Sequence, residues 1–263
     1  MIPLQKIEKY PVLGIDISSY SKLEFFEAIE SRLSDPDPAT PPLFVVTVNP
    51  EIIIESIVDS EFKDILNQSG VNTADGVGVS WAVRFIYRQN VERITGSDSV
   101  EEICKLCSRL SQNVYFFGAA PGVASRAAEI LQERIDGLLV AGTYSPAARD
   151  IPFDDLPVDV QNSLATSSVV FVALGAPAQE KWIHKNLGKL PCCKLIVGIG
   201  GSFDFIAGQV KRAPVAFQKS GLEWAYRLWL QPSRWKRMVK LPLFALNVML
   251  LKSSMNGMKN APH

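Results

Sequence analysis

One pattern recurs along this chain and limits what it can fold into. Apolar runs too short for a helix alternate with segments of helical period, and many of the joints carry glycine or polar residues. The apolar runs are VLGIDI, LFVVTVN, VNTA, VYFFGA, LLVAGTY, VVFVALG and KLIVGIG. Helix-like patterns cover residues 21–33, the segment PEIIIESIV, and about residues 77–88, 98–110, 122–134, 155–165 and 178–187. Strands joined through helices form βαβ units, so the expected fold is α/β with a doubly wound, mainly parallel sheet. With 263 residues the chain has room for one large α/β domain, or for about 200 residues of one plus an appendage.

In an open parallel sheet, ligands bind beyond the carboxyl ends of the strands. Those ends here read TVNPE, TADGVG, FFGAAPGVA, ALGAPAQE and GIGGSFD. FFGAAPGVASRAAEI and ALGAPAQEKWI each run from strand through a glycine turn into a helix N-terminus, which turns backbone N–H groups and a positive dipole end toward a phosphate. Gly118 and Gly175 sit in these turns and Gly201 in the GIGGSFD turn, and all three are candidate ligand-binding positions. Two such turns favour a nucleotide-bearing ligand over a small anion.

Asp75, in VNTADGVGVSWA, stands between an extended run and two glycines that open a helix. An Asp in that place can cap the helix, hold a ribose or act as a base, and capping is the commonest of the three. Residue type and position alone leave the choice open.

Several nucleotide and hydrolase signatures are missing. No G-x-G-x-x-G follows the first strand, no G-x-x-x-x-G-K-[ST] occurs, and there is no G-x-S-x-G elbow. Only His184 and His263 are available as histidines, and the single CxxC, Cys104 and Cys107, lies in a helical pattern that makes it a buried stripe. No zinc site, other metal or cofactor is expected, and neither is a disulfide involving Cys192 or Cys193. The N-terminus does not read as a secretory signal, and no run approaches the roughly 20 apolar residues of a spanning helix. The expected location is cytoplasmic.

Charge divides the chain. Residues 1–207 carry 17 Lys/Arg against 26 Asp/Glu, whereas residues 208–263 carry 10 against Glu223 alone. In the same tail Trp224, Tyr226, Trp229 and Trp235 alternate with basic residues before the apolar run LPLFALNVMLL. That combination suits an anionic membrane surface and its acyl boundary. A docked helix with a solvated charged face is the simpler alternative. Nucleic acid is not an expected partner, because the apolar end would have no role there. The resulting division is a core over 1–207 and a helical, membrane-associating appendage over 208–263.

In order along the chain, TVNPEI, TADGVGV, ERITGSD, FFGAAPGVASRAAE, ALGAPAQEKWIHKN, GIGGSFDFIAGQVKRAP and GLEWAYRL resemble the motifs of the bacterial WecG/TagA/CpsF glycosyltransferase family. The resemblance spans roughly residues 10–240. It implies a Rossmann-like fold and an inverting, metal-independent hexosyl transfer. The donor would be a UDP-sugar, often of N-acetylmannosamine or its uronic acid, and the acceptor a polyprenyl-diphosphate-linked saccharide of cell-envelope or exopolysaccharide synthesis. It further implies peripheral association with the inner face of the cell membrane, and leaves a homo-oligomer open.

Carried over by motif position, Asp75 becomes the candidate general base, and Thr47, Asn49, Arg93 and Gln179 become pocket residues. Arg212, Arg227, Arg234 and Arg237 become candidates for the diphosphates. The chemistry agrees, because a carboxylate can take the acceptor proton while guanidinium forks and N–H groups meet the departing diphosphate. Asp98, Gln179 and Glu180 are equally readable as residues serving a helix's first turn, and Asp204 as a turn former. GTYSPA departs from the family pattern, which expects a glycine followed by aromatic residues. A non-catalytic nucleotide-sugar-binding or scaffold protein, or a nicotinamide-dependent oxidoreductase, are the other readings.

Overall fold

The computed structural model describes residues 7–211, 213–214, 217, 223–230 and 235–259; of residues 223, 227, 230, 236, 237 and 257–259 only the backbone is described. Six strands, β3 (Leu43–Val48), β4 (Val71–Ala74), β5 (Asn113–Gly118), β6 (Leu139–Tyr144), β7 (Val169–Ala173) and β8 (Leu195–Gly198), form one sheet in the order β4-β3-β8-β7-β5-β6. Every pairing in it is parallel. The α/β doubly wound expectation holds.

VLGIDI is not a strand of that sheet. It breaks at Leu13 and Gly14, both at positive φ (51° and 85°), into a tight turn between β1 (Lys9–Val12) and β2 (Ile15–Ser18). These two pair antiparallel as a separate hairpin. Two consecutive positive-φ residues are what a two-residue hairpin turn requires, so the Leu-Gly pair is punctuation inside an apolar run.

Helices cover both faces of the sheet. Val45, Phe116, Phe171, Leu195 and Val197 point to one face, where they pack with α1 (Lys22–Ser34), α5 (Gly96–Arg109), α6 (Val123–Arg134) and α9 (Ser202–Ile206). Their strand neighbours Phe44, Val46, Tyr115, Phe117, Val170, Val172 and Ile196 point to the other face. There they meet α2 (Pro50–Val58), α3 (Ser60–Gln68), α4 (Val77–Tyr87), α7 (Val158–Ala165) and α8 (Ala178–Asn186). The helix α3 was not expected. Asp59 ends α2 and starts α3, its side chain accepting from Phe62 N at 2.9 Å, so one capping residue separates two short helices.

Cys104 and Cys107 are buried free thiols whose pKa burial pushes up, to about 12 for Cys107, as a packed stripe requires. His184 is exposed.

The tail adds helices Glu223–Leu230, Trp235–Met238 and Lys240–Lys259. The last, the C-terminal helix, inserts Phe244 and Val248 into the same apolar core as α2 and α4. Lys240 Nζ pairs with Glu55 of α2, and Lys252 Nζ donates to the Ile86 carbonyl of α4. Its opposite side remains apolar and exposed at Leu243, Leu246, Met249 and Leu250. One side of the helix is therefore docked, and the other is greasy rather than charged. Among the described residues no helix is long and apolar enough to cross a membrane.

Candidate active site

The carboxyl ends of all six parallel strands open into one cleft of about 800 Å³. Thr47 and Asn49 come from the end of β3, Asp75 from β4, Gly175 from β7, and Gly200 and Gly201 from β8. Ala119 and Pro121 follow β5, and Pro146 and Arg149 follow β6. From the tail, Trp224, Met238, Leu241, Phe244 and Ala245 close one side.

The cleft is built largely from helix starts. TVNPE is a strand end, an N-cap and a first turn: Asn49 Oδ1 accepts from Ile52 N at 3.0 Å, and Pro50 takes the first helical position. Asn49 thus lines the cleft and caps α2 with its oxygen, which leaves its amide N–H groups as the donors it can offer a ligand. Thr95 likewise caps α5, its Oγ1 accepting from Asp98 N at 3.3 Å.

The other helix starts lack such caps. α4, α6, α8 and α9 have Gly76, Gly122, Pro177 and Gly201 at the N-cap, with no side-chain cap bond. Their first N–H groups are therefore unclaimed by a capping side chain, which is the donor set an anion uses.

This settles part of the Asp75 question. Gly76, not Asp75, is the N-cap of α4. Asp75 stands one residue earlier, half-buried on the cleft wall, with its own N–H bonded to Val48 O at 2.7 Å. A parallel bridge between Ala74 and Arg93, with Ile94 N bonded to Ala74 O at 3.0 Å, brings Arg93 into the same wall. One carboxylate and one guanidinium are held on adjacent backbone segments although 18 residues separate them in sequence.

Gln179 and Glu180 stand in the first turn of α8, and the Glu180 carboxyl also accepts from its own backbone N–H there. Both are buried under the β8 turn. Gln179 Oε1 accepts from Gly200 N at 3.0 Å, and its Nε2 donates to Glu180 Oε1 at 2.5 Å. Gly198 makes room for the pair, because a Cβ there would lie 2.8 Å from Gln179 Nε2. Thr47 Oγ1 donates to the Gly198 carbonyl at 3.0 Å from the other side. Glu180 is fully buried and its Oε2 has no hydrogen-bond partner, so burial pushes its pKa up to about 7 against the opposing pull of Gln179.

Thr47, Asn49, Asp75, Arg93, Gln179, Gly175 and Gly201 therefore meet in one cleft. Gly118 does not line it. At φ 108° its missing Cβ would sit 2.6 Å from the Ala173 carbonyl carbon, so this glycine lets β5 approach β7 and shapes the floor from behind. Arg212 and Arg234 lie outside the described residues, as do the side chains of Arg227 and Arg237. Asp204 lines the cleft near Phe205.

Arg149 was missed in the sequence. Its Nη1 lies 3.7 Å from where a Cβ on Gly175 would stand, which puts a second cation at a glycine turn. A single Arg in SPAARD has no motif around it, and only the return of the β6 loop over β7 places it. The GTYSPA departure has a structural answer as well: Ser145 Oγ donates to the Gly118 carbonyl at 2.9 Å, tying this loop to the β5 turn. Among the described residues no group of three or more His, Cys, Asp or Glu is placed to hold a metal ion.

The family model described as "Glycosyl transferase WecG/TagA/CpsF family" matches residues 10–258. A relative from Bacillus spizizenii is 32% identical over 239 residues, 91% of this chain and 90% of its own. One from Bacillus subtilis is 35% identical over 205 residues, 78% of each chain, and one from Staphylococcus aureus is 30% identical over 253 residues, 95% of this chain and 96% of its own. All three are named N-acetylglucosaminyldiphosphoundecaprenol N-acetyl-beta-D-mannosaminyltransferase. Matched over nearly its whole length, with its motifs gathered around one cleft, the chain belongs to the WecG/TagA/CpsF family and is a glycosyltransferase.

Proposed function

We propose that the enzyme transfers N-acetylmannosamine, its uronic acid or a related hexose from a UDP-sugar to a polyprenyl-diphosphate-linked N-acetylglucosamine, with inversion. The observation that carries this reading is the composition of the cleft wall, where Asp75 and Arg93 stand beside helix starts that have no side-chain caps. The acceptor class is taken from the relatives' shared name.

Asp75 accepts the proton of the attacking acceptor hydroxyl as its oxygen bonds to the anomeric carbon. On the opposite face the bond from that carbon to the β-phosphate oxygen breaks, and UDP leaves with the electron pair. Arg93, Arg149 and the uncapped N–H groups meet the charge that develops there, with Arg212, Arg227, Arg234 and Arg237 of the tail as further diphosphate ligands. Thr47, Asn49, Gln179 and the Gly175 and Gly201 turns hold the donor. The segment 208–263 is an appendage to the 1–207 core, and its exposed aromatic and apolar side chains rest on the anionic inner face of the membrane, which brings the cleft to the lipid-linked acceptor.

The test is UDP release and product mass from UDP-N-acetylmannosamine and a polyprenyl-diphosphate N-acetylglucosamine. Asp75→Asn should keep the fold and UDP binding and lower turnover by about 10²–10⁴-fold. Near-normal turnover would remove Asp75 as the base. Wild-type protein that binds UDP and releases none from any UDP-sugar would be a binder and not this enzyme.

A further inference from the structure

The exposed side of α4 does not look like the outside of an ordinary surface helix. Val77, Trp81 and Phe85 recur at i, i+4 and i+8, so they form one stripe, and they are 42%, 38% and 40% exposed. The Trp81 and Phe85 rings are stacked, with centroids 5.3 Å apart and planes 15° from parallel. Val77 and Trp81 also line the cleft, so the stripe starts beside Asp75 and leads outward.

The C-terminal helix supplies a second wall. The Phe244 ring lies 3.8 Å from the position a Cβ on Gly78 would take, and eight residues later on both helices Lys252 reaches the Ile86 carbonyl. Equal spacing at both contacts means that the helices run side by side in the same direction. Leu241 and Ala245 line the cleft, and Met249, one further turn along the same face, is 50% exposed. Two parallel rows, Val77–Trp81–Phe85 and Leu241–Ala245–Met249, thus border an apolar trough about 12 Å long by the helical rise, open to the cleft at one end and to solvent at the other.

We propose that this trough carries the first isoprene units of the acceptor's polyprenyl chain. The inference rests on the acceptor class proposed above. A diphosphate held in the cleft leaves its hydrocarbon no polar route, and the trough is an apolar exit that begins among cleft residues. A hydrocarbon chain needs no hydrogen bonds from its track, and these side chains offer almost none.

The track predicts that chain length is read by residues outside the cleft. Phe85 and Met249 form the far end of the trough and are not among the residues that line the cleft. In full-length protein, Phe85→Gln with Met249→Gln should raise KM for a farnesyl-diphosphate N-acetylglucosamine by about tenfold or more. KM for the same headgroup on a four-carbon tail, KM for UDP-N-acetylmannosamine and kcat should stay within about twofold. Both residues are half-exposed or nearly so and Gln is a good helix former, so the fold should persist, checked by circular dichroism.

Equal KM changes for both tails, or for neither, would overturn the track. So would lost liposome flotation with an unchanged farnesyl KM in detergent, which would assign the stripe to the bilayer surface. A shift from dimer to monomer with unchanged KM would assign it to a second copy of the chain and reject the lipid. Wild-type protein that uses neither acceptor overturns the acceptor reading itself, and the track with it, before any variant is compared.

Discussion

Glu180→Gln should remove a pH-dependent loss of stability. The Glu180 carboxyl is fully buried, accepts one bond from Gln179 and leaves Oε2 without a partner. Its pKa rises from the ordinary 4.5 to about 7 because ionisation there has no solvent and no cation to meet it. The folded state therefore holds this proton more tightly than the unfolded chain. Stability from this group is complete below about pH 4.5 and declines as pH rises to about 7. At 1.36 kcal/mol for each tenfold change in proton affinity, the decline approaches about 3 kcal/mol.

Glutamine keeps an oxygen for the Gln179 amide and cannot ionise. Urea unfolding of both proteins at pH 5 and pH 8 should then show a near-equal pair at pH 5, within about 1 kcal/mol, and a variant more stable by about 2–3 kcal/mol at pH 8. Taking the difference between the two proteins cancels every other titrating group common to both. A variant-to-wild-type difference that does not move between the two pH values would refute the buried neutral carboxyl. Since the same carboxyl orients Gln179, and Gln179 holds Gly200 N, Glu180→Leu should in addition raise KM for the UDP-sugar, while Glu180→Gln should not.

Three further outcomes follow from the site and the tail. Activity should survive EDTA dialysis, because in the proposed mechanism N–H groups and guanidinium forks, not a metal, neutralise the diphosphate, and an absolute requirement for added Mg²⁺ or Mn²⁺ would contradict this. Leu246→Gln with Leu250→Gln, both exposed, should leave the melting temperature nearly unchanged and reduce flotation with anionic liposomes, whereas unchanged flotation would remove this face from the membrane contact. Gly118→Ala should lower stability by at least about 2 kcal/mol, through positive φ and overlap with the Ala173 backbone, and a melting curve matching wild type would show that the two strands can part freely.

Much of the site was legible because strand ends and helix starts are written locally. TVNPE declares a strand, a cap and a proline first turn in five consecutive residues, and the glycine turns after β5, β7 and β8 are visible as interruptions of apolar runs. Burial at every strand position, on a sheet covered on both faces, also made the parallel class readable, since such strands read as nearly continuous apolar runs. VLGIDI misled for the same reason: its turn is hidden inside an apolar run.

What the sequence could not decide depends on residues distant in the chain coming together. Whether Asp75 caps its helix was settled by backbone geometry one residue away, and its pairing with the Arg93 segment by a bridge beyond the sheet edge. Burial of Glu180 was illegible, because a first-turn carboxylate usually faces water and only the β8 turn above it removes the solvent. The tail shows the limit most plainly. Its composition determined that it has an apolar surface to hide, but a twenty-residue helix with apolar residues around much of its girth does not say which side docks. Only packing against α2 and α4 chose Phe244 and Val248 for the core, and so left Leu246, Met249 and Leu250 facing out.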